Sequence, residues 1–334
     1  MTRLRAGLVG IGMMGRNHAR VLREIDGVGL VGVADPAGDV HGVAGGARVV
    51  DTVEDLIELG LDLAVVAAPT GFHLDAGLKL AGAGVATLIE KPLASTTADA
   101  SALVNAFESA GLVNAVGHIE RCNPALRSLR DRLGRGDLGE IYQVATRRQG
   151  PFPNRIADVG VVKDLATHDI DLTAWVIQSP YASVSAQTAH KSGREHEDLI
   201  SVTARMANGT VVSHLVNWLS PMKERSTVVT GERGAFVADT LRSDLTFHEN
   251  GEIPTEWSQV QSFRGVSEGN VTRFAIPKPE PLRVQHENFR DAVLGQDTDV
   301  ITMREGMETV RVAEACLLSA HESRTINVAE LMKT

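Results

Sequence analysis

Residues 7–15, GLVGIGMMG, place Gly10, Gly12 and Gly15 in the spacing G-x-G-x-x-G, directly after an apolar run and directly before a helical one. A turn this rich in glycine brings backbone N–H groups close to a bound anion, and the helix that follows points its positive end at the same place. The spacing alone is common. Its context is less so: LRAGLVG (4–10) reads as a strand, MGRNHARVLREI (14–25) as a helix, and GLVGVAD (29–35) as a second strand ending in Asp35, 20 residues beyond Gly15. That combination predicts a dinucleotide site. Gly10 permits the tight turn, Gly12 lets the backbone approach a pyrophosphate, and Gly15 lets the helix lie on the sheet. Ile11, Met13 and Met14 fill the turn between them. An aspartate at position 35 would accept from both adenosine-ribose hydroxyls and repel a 2'-phosphate, and Pro36 and Ala37 add no cation, so NAD is favoured over NADP.

Outward from this stretch the alternation continues. Helical spacing over 52–59 precedes a strand at 61–69 (LDLAVVAAP), a helix at 73–84, a strand at 85–92, a helix at 95–111 and a strand at 113–118. Strand–helix units of this length predict a parallel sheet covered on both faces, an N-terminal Rossmann domain. After a helix at 123–133 the pattern changes to alternating runs at 140–148, 182–190, 197–206, 209–219, 226–239 and 244–249, with Asn208-Gly209 as a hairpin signal. They predict a second α/β domain built on a mostly antiparallel sheet, closed by helices at 281–295 and 303–323, with 263–281 as a surface loop. The expected division is 1–120 for the dinucleotide-binding domain and 121–334 for substrate binding and oligomerisation, with the closing helices able to return across it.

Composition sets outer limits. The chain has 334 residues, 43% of them hydrophobic and 22% charged, enough for two domains with separate cores. A formal charge of -9 gives no support to a nucleic-acid partner. Cys122 and Cys316 stand alone without metal-ligand spacing, and no metal site is expected. The N-terminal residues carry neither a signal pattern nor a spanning helix, so the expected location is cytoplasmic and no membrane partner is expected.

Three further stretches carry candidate chemistry. Pro69, Thr70 and His73 follow a strand at its carboxyl end, where parallel sheets bind ligands; His73 either borders the cofactor or packs the next helix. Glu90-Lys91-Pro92 also ends a strand, where Glu90 and Lys91 are expected to border the cofactor, and Pro92 restricts Lys91 to extended backbone. DLATHDIDLTAW (164–175) reads as a helix with Asp164, His168, Asp171 and Trp175 on one face at about 100° per residue and apolar groups on both flanks. An ionised Asp164 one turn before His168 can orient the imidazole and raise its basicity. Beside a dinucleotide, such a histidine can take a hydroxyl proton while a lysine steadies the oxygen. His190, Glu195, His196 and Glu197 read instead as a surface turn.

Taken together, GLVGIGMMGRNHAR, EKPLA and the later Asp164-x-x-x-His168 resemble the glucose–fructose oxidoreductase / inositol dehydrogenase / rhizopine catabolism family over nearly the whole chain. The resemblance implies a Rossmann domain followed by an α/β domain whose open sheet forms an oligomer interface, hence a homodimer or homotetramer. It implies Lys91, Asp164 and His168 as catalytic residues, His168 as the proton-transfer group, and Asp171 in support. Many members precede the aspartate with a run of glycines; here DVGVVKD keeps only Gly160. VGHIERCNPA (116–125) and GPFPNRIADVGVVKD (150–164) look like the branch containing UDP-N-acetylglucosamine 3-dehydrogenases, which oxidise a sugar 3-hydroxyl. A diphosphate would suit the cations Arg121, Arg147, Arg148, Arg155 and Lys163, although adjacent Arg147 and Arg148 must face opposite sides of a strand. Arg155, Lys163, Asp164 and Asp171 are the expected substrate contacts. Inositol, a free sugar or a deoxy-sugar as substrate, or a non-catalytic NAD-binding sensor, are the alternatives these residues leave open.

Overall fold

The computed structural model describes residues 3–153, 159–251 and 267–332. Two compact units result, Met1–Cys122 with Pro279–Glu314, and Asn123–Lys278 with Ala315–Thr334.

In the first unit, strands β1 (Leu4–Val9), β2 (Val28–Ala34), β3 (Arg48–Val50), β4 (Leu63–Val66), β5 (Ala86–Ile89) and β6 (Asn114–Val116) form one parallel sheet in the order β3-β2-β1-β4-β5-β6. The short β3 was not evident from the sequence. Side chains alternate across a strand, and β4 shows the result: Leu63 and Val65 enter one core, Ala64 and Val66 the other. Both faces are therefore apolar, and helices α1 (Met13–Glu24), α2 (Val53–Ile57), α3 (His73–Gly82) and α4 (Thr97–Ser109) connect the strands. Thr52 and Thr96 cap α2 and α4 by accepting from Asp55 N and Asp99 N. The strand order reverses direction between β1 and β4, the place where such sheets open a crevice at their carboxyl ends.

The second unit holds α5 (Pro124–Gly134), β7 (Ile141–Pro151), α6 (Thr167–Ile177), β8 (Tyr181–Ala189), β9 (Leu199–Met206), β10 (Val211–Asn217), β11 (Leu219–Gly231), β12 (Gly234–Asp239), β13 (Asp244–Gly251) and β14 (Ser267–Arg273). With β15 (Ile326–Asn327) they make a nine-stranded sheet ordered β14-β13-β12-β11-β7-β10-β9-β8-β15, antiparallel except where β10 runs parallel to β7. Asn208-Gly209 does turn β9 into β10, with Gly209 at φ 92°. The run at 226–239 divides into two strands of a hairpin. Ser267–Arg273, expected as loop, instead pairs with β13 at the sheet edge, its pattern too polar for a core-facing strand. Along β9 every second residue is buried while Ser201, Thr203 and Arg205 are exposed, so one face of this sheet lies open.

Helices α7 (Pro281–Val293) and α8 (Met303–Glu322) follow β14 and precede β15. The first unit does not stop at residue 120, because α7 and the first half of α8 belong to it. Leu282 and Phe289 join the core beneath α1, Val116 N–H donates to Ile301 O at 2.8 Å, and Met303 N–H donates to Asn114 Oδ1 at 2.9 Å. Cys122 and Cys316 are both buried as free thiols, and burial pushes Cys316 up to about 12. Among the described residues no helix is long and apolar enough to cross a membrane.

Candidate active site

The glycine turn has the shape its sequence implied. Gly10 sits at φ 84°, open only to glycine without strain, and a Cβ there would lie 2.7 Å from Ala68 N. A Cβ on Gly15 would lie 2.1 Å from Gly10 O, so only glycine lets α1 approach the strand end this closely. At Gly12 the situation is opposite: nothing stands within 4 Å of a Cβ, and the residue is exposed at the N-terminus of α1. That helix has neither a side-chain cap nor an acidic residue in its first turn, which leaves its N–H groups for an anion. These residues fit a dinucleotide. Ile11 is buried, Met14 half-buried, and Met13 is 50% exposed.

Asp35 ends β2 with both carboxylate oxygens anchored by main chain: Ile11 N–H donates to Oδ2 and Ala37 N–H to Oδ1, each at 2.9 Å. Each oxygen keeps a lone pair for a further donor. Pro69 is exposed and Thr70 half-buried just beyond β4. His73 is different. It is 1% exposed, with Nε2 2.9 Å from Ala68 O and Nδ1 3.0 Å from Pro92 O, and burial holds its imidazole below the ordinary pKa. It ties the end of β4 to the loop after β5, so its part at a cofactor surface is indirect.

That loop is Glu90-Lys91-Pro92, with a cis bond before Pro92. Glu90 lies buried beneath it. Its Oε2 accepts from Lys91 N–H at 3.0 Å, and its Oε1 is 2.8 Å from His18 Nε2. His18 Nδ1 is in turn 2.8 Å from Nε2 of His286, on α7. Burial would raise the Glu90 carboxyl, but the His18 hydrogen bond and the charge on Lys91 hold it below its usual value. Burial, then the neighbouring His18, drives His286 well below its own. The Lys91 backbone is thus held from below by a buried carboxylate and two histidines, while its side chain is half-buried. Sequence reading missed His18 and His286. A histidine in a helix and another 268 residues later leave no local signal.

In the second unit, Lys163, Asp164, His168 and Asp171 fall on one helical segment, but its start is not an α-helix. Val162–Ala166 is a π turn, in which Thr167 N–H reaches back five residues to Val162 O. The extra residue per turn is a feature met often at functional sites. Asp164 is buried, His168 and Lys163 are half-buried, and Asp171 is 1% exposed. Asp169, left without a catalytic role by the sequence and open to pairing with a nearby arginine, pairs with Arg148: Nε donates to Oδ2 at 2.7 Å, with both side chains almost fully buried. Arg147 is exposed on the other face, as the strand period requires, and Arg121 pairs with Glu305. Neither Arg147 nor Arg148 therefore shares a face with the other. Arg155 lies outside the described residues. The turn at 190–197 is not all surface, since Glu197 is buried and its Oε1 accepts from Val162 N–H at 3.0 Å.

Comparison with known proteins agrees with this arrangement. Residues 4–118 match the oxidoreductase family model described as an NAD-binding Rossmann fold, and 126–237 match the GFO/IDH/MocA C-terminal domain. A UDP-N-acetylglucosamine 3-dehydrogenase of Acidithiobacillus ferrooxidans is 30% identical over 296 residues, 88% of this chain and 90% of that protein. Inositol 2-dehydrogenase 1 of Saccharopolyspora erythraea is 26% identical, covering 97% of this chain and 96% of its own. Among solved structures, the WlbA dehydrogenase of Bordetella pertussis in complex with NADH and UDP-GlcNAcA superposes with a TM-score of 0.80 at 25% identity, covering 97% of this chain and 98% of that one. This chain belongs to the GFO/IDH/MocA family of oxidoreductases, with the family's NAD-binding Rossmann fold as its first domain.

Proposed function

We propose that the protein oxidises a ring hydroxyl of a sugar with NAD, and that its substrate is a UDP-N-acetylhexosamine attacked at the 3-hydroxyl. The observation that carries this reading is the placement of buried Asp164 one turn before half-buried His168, at the start of a helix pinned on two sides. A histidine ordinarily titrates near neutrality, which suits it to accept the hydroxyl proton as the carbonyl forms. Asp164 orients it and favours the imidazolium that results. Lys91, which the family resemblance makes a catalytic residue, is assigned to steady the negative charge that develops in this step. When bound, NAD+ supplies the acceptor for the hydrogen that leaves the ring carbon with its electron pair. Asp35 is the residue that selects NAD by accepting from the adenosine ribose. Pro69, Thr70 and Met13 border the cofactor, and Lys163, Asp171 and Arg155 hold the substrate. The open face of the nine-stranded sheet joins copies into a homodimer or homotetramer.

The nucleotide-sugar assignment draws on the Acidithiobacillus and Bordetella relatives, whereas the Saccharopolyspora relative favours inositol. Incubation with NAD and separate portions of UDP-N-acetylglucosamine, its uronic acid, myo-inositol, glucose and glucose 6-phosphate decides between them, with the ketone trapped to draw the equilibrium forward. Reduced nicotinamide is expected with the UDP-sugars. Reduction with inositol or free sugars alone would sink the nucleotide-sugar reading, and binding of NAD with no turnover on any of them would leave a sensor.

A further inference from the structure

We propose that Glu197 is a positioning residue for proton transfer: it clamps the π turn that carries Asp164 and sets the helix on which His168 stands. This rests on the assignment of His168 as the base. Glu197 lies two residues before β9 and is 9% exposed. Its main-chain oxygen accepts from Val161 N–H at 3.0 Å, and its carboxylate Oε1 accepts from Val162 N–H at the same distance. Two of the N–H groups left unpaired at any helix start are thereby satisfied by one residue, and a carboxylate there also meets the positive end of the helix. Asp164 N–H donates to Gly160 O at 3.1 Å. The clamp then passes along the chain without a gap. Val162 N–H donates to Glu197 while Val162 O accepts from Thr167 N–H, and Thr167 is the residue before His168.

Gly160 explains itself in the same contact. A Cβ at that position would lie 2.0 to 2.2 Å from the carboxylate atoms of Glu197. The carboxylate occupies the space a side chain would need, so the single glycine kept in DVGVVKD is the one this clamp requires. Glu197 cannot drift, because its neighbour Asp198 closes the preceding loop. Asp198 N–H donates to Ala189 O at 3.0 Å, and its Oδ2 accepts from Lys191 N–H at 2.7 Å and Ser192 N–H at 2.6 Å.

The test compares Glu197→Ala, Glu197→Gln, Gly160→Ala and the double change Glu197→Ala/Gly160→Ala with His168→Ala. The readouts are kcat, the KM for NAD, and amide hydrogen exchange across 161–168. Glu197→Ala is expected to lower kcat by about 10- to 100-fold, as small displacements of a catalytic group do, to leave the KM for NAD unaltered, and to speed exchange at Val162, whose N–H loses its acceptor. Glu197→Gln keeps an acceptor oxygen and should recover most of the rate. Gly160→Ala should match Glu197→Ala, and the double variant should be no worse than either, because both remove one contact. Multiplying losses in the double variant would contradict a shared contact. If Glu197→Ala changes neither exchange nor kcat while His168→Ala abolishes turnover, the clamp is wrong and the base stands. If exchange rises in Glu197→Ala but His168→Ala still turns over, the clamp stands and the base assignment falls.

Discussion

Two histidines, His73 and His168, both follow threonine-containing turns at the entry to a helix, and burial separates them. His73 has both ring nitrogens turned to main-chain carbonyls and is 1% exposed, whereas His168 keeps partial access to solvent. Replacing His168 or Lys91 by alanine is accordingly expected to lower kcat by about 10²- to 10⁴-fold while binding of the reduced cofactor NADH, followed by nicotinamide fluorescence, is retained. His73→Ala should show the opposite split, a lower melting temperature with chemistry slowed only in proportion to unfolded protein. Equal loss of NAD binding in all three would contradict the separation. At this scale much was legible. Glycine spacing, Asp35, Glu90-Lys91-Pro92 and Asp164-x-x-x-His168 are all local patterns, and the turn that the glycines and Asp35 imply is the one the chain makes. Glu197, His18 and His286 were not legible, because each acts on a partner far along the chain, and no period or motif links residue 197 to 160 or 286 to 18.

Elements show the same limit. A reading at 100° per residue puts Asp164 on the His168 face of an α-helix, and the helix exists, but its first turn is π, with Glu197 and Gly160 packed against its start. Further along, Asp169 binds Arg148 across from β7. Truncating Arg148 to alanine removes the guanidinium that a buried carboxylate depends on, and should destabilise the fold by about 3–5 kcal/mol. Exchanging both residues together for Met and Leu should cost much less. Urea unfolding of the two variants measures the difference, and equal losses would mean that the pair matters only through packing. Strand β14 escaped notice for another reason: at an edge, neither face must be apolar, so the alternation that marks a strand is missing.

Over the whole molecule, the change from alternating strand–helix units to alternating strands announced two α/β domains, and the structure has both sheets. The return of α7 and half of α8 to the first unit was only weakly written, because an amphipathic helix does not name the core it will enter. Stability as a function of pH also belongs to this scale. His214 is buried between Thr146 Oγ1 at 2.7 Å and Tyr181 OH at 2.8 Å, and burial lowers it to about 3. The unfolded chain therefore binds a proton near pH 6.5 that the folded chain refuses until about pH 3. Stability is full above the first value and falls as pH drops toward the second, by up to about 5 kcal/mol. Melting curves should show this acid limb, and His214→Gln should flatten it; an unchanged slope would exclude His214 as its source. Light scattering on the eluting protein is expected to give a dimer or tetramer held through the face bearing Gln143, Arg147, Ser201, Thr203, Arg205 and Val211, all exposed in the single chain. A monomer would contradict that assembly.

Transfer of a hydrogen from sugar to nicotinamide is the central claim, and one labelled substrate tests it. UDP-N-acetylglucosamine carrying deuterium at the sugar C3 is mixed with the enzyme and NAD, and the reduced nicotinamide is weighed by mass spectrometry. One deuterium in the reduced cofactor, formed more slowly than with unlabelled sugar and lost with His168→Ala, is the predicted result. Reduced cofactor without the label, or none at all where another sugar yields it, would contradict the account.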